Sequence, residues 1–371
     1  MMRSSYRDED VVLLLKDITG LVKPQPTEER ERLIQAGKHY SEMLPVEYEP
    51  SSQYMEAYRK ALESYAVPTA RAVGVLADKV LAAKGRDVVL VSLARAGVPA
   101  GILLKRYFKF RYGADIMHYG ISIIRGRGMD RNAMSYLLER HRPEQLQFVD
   151  GWIGKGAILQ ELKKELRAYE GISEEVAVLA DPANETELCG THEDILIPSS
   201  CLNCTVSGLI SRTFLRDDII GEKDFHGAVY YEELREADLS YEFIHAIEKE
   251  FCADIVTGEA GEGAEEGKGP EAGKGREKRQ DAKEGKGAEE AKEIADFFGV
   301  HDINLVKPGI GETTRVLLRR VPWKVLIDGR YEKDAALAHI IRLAEEKGVP
   351  VESYPLKHYR ACGIIKKLGD A

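Results

Sequence analysis

The sequence predicts an α/β fold: a parallel sheet with helices on both faces, joined to a small α/β/α sandwich. Three observations carry this. Short apolar runs bounded by turn residues alternate with helix-like stretches through the first two thirds of the chain. The segment from Gly258 to Lys292 contains no Leu, Ile, Val, Phe, Tyr, Trp or Met. Beyond it, alternation of strand-like and helix-like stretches resumes on a smaller scale. A chain of 371 residues, 44% hydrophobic and 31% charged, is long enough for two folded units.

In chain order, Val11–Gly20 is the most apolar early stretch, but Lys16 and Asp17 break it far short of the roughly 20 residues that span a bilayer. It also lacks the basic start and cleavage site of a signal peptide. Asp87–Leu93, Ala114–Ile124, Gln145–Asp150 and Glu175–Ala180 are expected as buried strands. Val98–Phe108 and Gly156–Glu170 are expected as helices between them. Strands that alternate with helices form parallel sheets, and ligands bind such sheets at the carboxyl ends of the strands. The loops after Leu93, Asp150 and Ala180 are therefore the first places to look for chemistry.

The division expected is a first unit at 1–257, a charged linker at 258–292 and a second unit at 293–371. The linker cannot bury apolar surface, so the halves are expected to move independently. The net charge of −9 excludes a globally basic nucleic-acid binder, although residues 293–371 carry about +2 by themselves. Five cysteines, an odd number, argue against a disulfide framework and for a reducing, cytoplasmic setting.

Phe148–Ile158 reads as a strand ending in an acid, a glycine loop and a helix start. Gly154 and Gly156 permit close backbone approach, helix-start amides attract an anion, and Lys155 adds positive charge. Asp150 is placed to accept hydrogen bonds from ribose hydroxyls. Residue by residue this segment resembles the phosphoribosyl pyrophosphate loop of type I phosphoribosyltransferases. Asp150 matches the first acid, Trp152 and Ile153 the apolar pair, Gly156 the glycine and Ala157 the small residue. Gly151, Gly154, Lys155 and Ile158 depart from the pattern. Upstream, Val89–Phe108 resembles the pyrophosphate segment of the same family, with Ala94, Arg95, Ala96 and Gly97 as its loop. Ile123–Asn132 stands where that family carries a mobile loop, so Arg125 or Arg127 is expected to neutralise departing pyrophosphate.

The whole chain, apart from the linker, resembles a bacterial phosphoribosyltransferase-like family encoded near tellurium-resistance stress genes and joined to a pelota-type RNA-binding domain. Ser41–Tyr48, Val149–Ile158 and Cys189–Thr213 are the most distinctive segments. The resemblance implies Mg2+-dependent transfer from phosphoribosyl pyrophosphate to an unknown heterocyclic acceptor. Asp150, Arg95 and Arg127 would be catalytic, and residues 94, 96, 97, 151 and 154–157 would hold the donor. Asp181, His192, Ser200 and Cys201 would line the acceptor pocket. A homodimer fits relatives of this fold. Lys307, Gly309, Gly311, Glu312, Thr313, Arg315 and Arg319 would approach structured RNA.

Other readings compete. The first unit could bind a nucleotide without chemistry and control RNA binding. Cys189, His192, Cys201 and Cys204 form C-x2-H and C-x2-C pairs with zinc-like spacing. Some relatives carry a cysteine-protease label, for which Cys201 with His192 or His226 as base is the candidate pair.

Overall fold

A computed structural model describes residues 2–252 and 285–367. The first half opens with β1 (Val12–Leu13), β2 (Lys16–Asp17), α1 (Thr27–Gln35) and the long α2 (Ser52–Lys84). There follow β3 (Val89–Ala94), α3 (Gly97–Tyr112), β4 (Met117–Ile124), β5 (Gly128–Met129) and α4 (Arg131–Leu138). β6 (Leu146–Trp152), α5 (Ala157–Leu166), β7 (Ala177–Ala180), β8 (Cys189–Thr191), β9 (Gly227–Ala228) and α6 (Ser240–Glu248) complete it.

Among the described residues the main sheet runs β1-β4-β3-β6-β7-β8, with every pair along that path parallel and β5 added antiparallel to β4. The strands are apolar on both faces because both faces are covered. On one side Leu90, Leu103, Leu76 and Phe243 join α2, α3 and α6 to the sheet. On the other, Val91, Phe148, Leu137 and Leu162 join α4 and α5 to it.

The chain order reverses at β3, whose neighbours are reached in opposite directions, so a crevice opens beyond the ends of β3 and β6. Gly97 lets α3 start against β6: a Cβ there would stand 2.5 Å from the Val149 carbonyl oxygen. The strands and helices expected from the sequence are present, within a few residues of their expected ends.

The second half contains α7 (Lys286–Phe297), β10 (Val306–Pro308), α8 (Ile310–Arg319), β11 (Pro322–Ile327), α9 (Ala338–Glu346), β12 (Val351–Ser353) and β13 (Ala361–Ile365). Its sheet order is β10-β13-β11-β12, with β11 and β12 parallel and the other pairs antiparallel. α7 begins inside the stretch read as linker, and it buries Ala291 and Ile294 against Val306 and Ile364. The rest of that stretch, through residue 284, lies outside the described residues.

The halves are packed together, contrary to the independence expected of them. Ile310, Leu317 and Leu318 of α8 belong to the same buried cluster as Leu196, Ile197 and Cys201. The Asp194 carboxylate accepts the Ile310 amide at 2.9 Å and the Arg360 amide at 2.9 Å. Arg125 donates to Asn304 Oδ1 at 2.7 Å, and Arg342 pairs with Glu56 at 2.7 Å. No described helix is long and apolar enough to cross a membrane.

Candidate functional site

The residues that follow β6 are covered. Asp150 is half-buried and accepts the Gly151 amide at 2.8 Å, and desolvation pushes its carboxyl up to about 7. The Gly154 carbonyl accepts the Tyr359 hydroxyl at 2.7 Å. Lys155 donates its ammonium to the Ile303 carbonyl and reaches that of Val306, while burial lowers its pKa to about 7. Gly156, at φ +77, and Ala157 start α5 beneath this contact. The loop expected to cradle a phosphate instead holds the second half of the chain, and the lysine meant to supply charge is committed to backbone carbonyls.

The other expected donor-site residues are also engaged. Ala94 ends β3, and Ala96 and Gly97 lead into α3. Arg95 pairs with Glu47 at 3.0 Å and donates to the Ile210 carbonyl at 2.7 Å. Arg127 pairs with Glu42.

The residues expected to approach RNA lie along the seam. Lys307 is in β10, Gly309 stands beside Asp194, Gly311 lies against Ser200, and Thr313 is fully buried. Glu312 faces Gly154, Arg315 lies over the Trp152 ring at 5.6 Å, and Arg319 lines the same cleft as Arg95. In the docked arrangement Gly309, Gly311 and Thr313 meet protein, while Lys307, Glu312, Arg315 and Arg319 stay partly exposed along a cleft at the seam.

The cysteine-rich segment also differs from expectation. Cys201 is fully buried, with its thiol pushed up to about 12 by burial, and neither His192 nor His226 stands beside it. His226 bonds to Ser122 Oγ at 2.9 Å instead. Ser200 is buried under Gly311, so it lines no open acceptor pocket. Cys189 and His192 come together but Cys201 and Cys204 lie elsewhere, and no metal-holding group of three or more His, Cys, Asp or Glu exists among the described residues.

What does assemble is a Cys189–His192–Asp181 line at the open edge of the sheet. β8 pairs with β7 through Val178–Cys189 and Ala180–Thr191, which brings the turn after β8 back over the end of β7. Cys189 Sγ stands 3.3 Å from His192 Nε2, and His192 Nδ1 stands 2.9 Å from the Asp181 carbonyl oxygen. That carbonyl can only accept, so it fixes the proton on Nδ1; Cys189 Sγ is also 3.6 Å from Nδ1, so the sulfur lies beside the ring between its two nitrogens, and the ring must turn before Nε2 can take the thiol proton.

The Asp181 carboxylate is 4.0 Å from His192 Nδ1, close enough to favour the imidazolium that would form on taking the thiol proton. Its Oδ2 is held by the Glu185 and Thr186 amides at 2.6 and 2.9 Å, and burial raises its pKa. Cys189 is 1% exposed and its thiol is pushed up to about 11 by burial, so it rests as the neutral thiol. The His192 side chain is 40% exposed and forms the accessible end of the line.

Gly190 sets the position of Cys189. A Cβ on Gly190 would stand 2.3 Å from the Ala72 carbonyl oxygen of α2, so any larger residue must push β8 off the helix. Gly190→Ala is expected to cost about 1–3 kcal/mol by overpacking, read as a lower urea midpoint with an unchanged slope.

Burial also orders thiol reactivity. Cys252 is exposed, whereas Cys189, Cys201, Cys204 and Cys362 are buried. Under native conditions Ellman's reagent should titrate Cys252 within the fast phase. Cys189 should react slowly, and faster as pH rises towards 11, because the thiolate is the nucleophile. A fast phase from Cys201 would contradict this burial.

Two family models match the chain. The model described as "Tellurite-like stress resistance cysteine protease StiP" matches residues 4–248, and the PELOTA RNA-binding domain matches residues 285–367. A curated protein from Acinetobacter baylyi, named "Cysteine protease StiP", is 35% identical over 382 aligned residues, covering 98% of this chain and 94% of its own length. No solved structure matches. The relative's name overturns the expectation of phosphoribosyl transfer, and with it the transferase class. The protease label, read from the sequence as a lesser alternative, is the better supported one. The covered loop after β6 agrees with that correction.

Proposed function

The chain belongs to the StiP family, described as tellurite-like stress resistance cysteine proteases, and carries a PELOTA RNA-binding domain; from that premise we propose that it is a cysteine-dependent hydrolase whose nucleophile is Cys189. One observation carries the assignment: among the five cysteines, Cys189 has an imidazole against its sulfur, 3.3 Å from Nε2, with Nδ1 held by a backbone carbonyl.

In this reading His192 Nε2 takes the Cys189 thiol proton as sulfur attacks a substrate carbonyl carbon. The imidazolium forms beside the Asp181 carboxylate, then returns the proton to the departing amine. Water hydrolyses the thioester with His192 again as base, restoring the thiol. Because the resting thiol is neutral and covered, activity requires the turn carrying His192 to open towards substrate. The PELOTA domain brings RNA contact into the proposal as a second activity.

The test is hydrolysis of fluorescent casein and a mixed fluorogenic peptide library by the full chain and its cysteine variants. Cleavage that survives Cys201→Ala, Cys204→Ala, Cys252→Ala and Cys362→Ala but not Cys189→Ala supports the assignment. Cleavage that persists in Cys189→Ala, or no cleavage of any peptide by the wild type, overturns it.

A further inference from the structure

The seam between the halves forms an open cleft of about 470 Å³ that the hydrolase reading does not use. The first half contributes Arg30, Arg95 and Arg212 to its wall; the second contributes Lys307, Arg315, Arg319 and Arg320. Glu47, Glu49 and Glu312 stand among these cations.

Two of the carboxylates are already committed, Glu47 to Arg95 at 3.0 Å and Glu312 to Arg315 at 3.1 Å. Among the described residues Arg212 has only the Tyr40 ring beside it, 5.4 Å away, and no carboxylate within ion-pair distance. Arg319 has a buried Nη2 with no hydrogen-bond partner. Burial and neighbouring guanidiniums depress both, Arg212 through Arg30 and Arg95, Arg319 through Arg315 and Arg95.

Collecting like charges where water is scarce is unfavourable unless an anion joins them. Planar guanidiniums with free N–H groups match phosphate oxygens in pairs. Tyr54, Leu202 and Val316 add apolar surface to the same wall, suited to a flat ring.

We infer that this cavity binds a compact oligophosphate, which bridges the two halves through Arg212 and Arg319. The inference does not rest on Cys189, and it does not use the loop after Asp150. Because the guanidiniums come from both halves, the bound anion tightens their docking, and its affinity falls steeply with salt.

The experiment is calorimetric titration of the full chain at 0.1 M salt with ATP, GTP, AMP, inorganic triphosphate and sulfate, with and without Mg2+, alongside thermal melts. Expected are binding by the triphosphates at least 10-fold tighter than by AMP or sulfate, and a raised melting temperature. Arg212→Gln and Arg319→Gln should each weaken triphosphate binding at least 10-fold while leaving the unliganded protein as stable or more so, since each removes a half-buried guanidinium with no carboxylate partner. Arg140→Gln, at an exposed residue just beyond α4, should bind as the wild type does.

Equal binding by inorganic triphosphate and ATP assigns recognition to the phosphates; tighter ATP binding adds the base. Both outcomes support the site. Absence of binding by the wild type, undiminished binding by folded Arg212→Gln and Arg319→Gln, or sulfate binding as tight as triphosphate would overturn it. So would displacement of triphosphate by an oligoribonucleotide of higher affinity, which would give the cavity to RNA.

Discussion

Cys189→Ala should reduce hydrolysis by at least roughly 10³-fold, because loss of the nucleophile removes the covalent route. His192→Ala should cost about 10²–10⁴-fold, the range for removal of a general base. The two losses should not add in the double variant, because the base has no function without the thiol. His192→Ala also leaves the neutral thiol in place. Since burial holds that thiol up near 11, residual activity in the variant should climb with pH well above neutrality, towards the range where the thiolate forms unaided. A pH profile identical to wild type would remove His192 from the mechanism. Equal loss from Cys201→Ala would move the nucleophile to a residue that has no base beside it.

The second large effect is expected at Asp194. Its carboxylate holds the Ile310 and Arg360 amides, both in the second half of the chain, and is buried on both sides of the seam. Asp194→Ala leaves two buried N–H groups without an acceptor, at about 1–3 kcal/mol each. A total loss of about 3 kcal/mol is expected, read from denaturant midpoints. The site also predicts a pH dependence. Burial raises the carboxyl from 3.8 to about 6 in the folded protein. Its contribution is therefore complete below the unfolded pKa and declines as pH rises through 6. Relative to Asp194→Asn, which does not titrate, the wild type should lose up to about 3 kcal/mol across that window. Parallel stability curves for the two proteins between pH 4 and 7 would show that the carboxylate ionises without strain.

The strands and the helices between them were legible because a parallel sheet buried on both faces must be written as short apolar runs with helical periods between them, as in Val89–Ala94 and Leu146–Trp152. The 33-residue α2 was not, since Pro68 stands inside it and proline ordinarily marks a helix end. The candidate site was half legible. Asp181, His192 and the cysteines stood out as polar and sulfur groups after a predicted strand. Which cysteine faces His192 depends on the register of β8 against β7, and the C-x2-H spacing suits a metal equally well. The seam was illegible for a different reason. Asp194, Lys155 and Tyr359 are ordinary polar residues in sequence, and only three-dimensional placement sets them against carbonyls and amides of the other half. Family resemblance at the loop after β6 pointed to phosphate chemistry where the folded chain places a domain contact.

The buried cluster shared by α8 and the first half changes what the covalent connection is for. One family model ends at residue 248 and the other begins at residue 285, yet the apolar core is shared between the segments they match. A chain cut between residues 253 and 284 would leave two fragments still joined by that core and by Asp194, so nicking would yield a non-covalent complex rather than two free products. Expressed separately, each fragment would expose half of the shared core and depend on the other for solubility. The connection thus acts as a concentration device: it keeps a complementary fragment within reach, so that docking is an intramolecular step whose strength can be adjusted at the seam without breaking the chain.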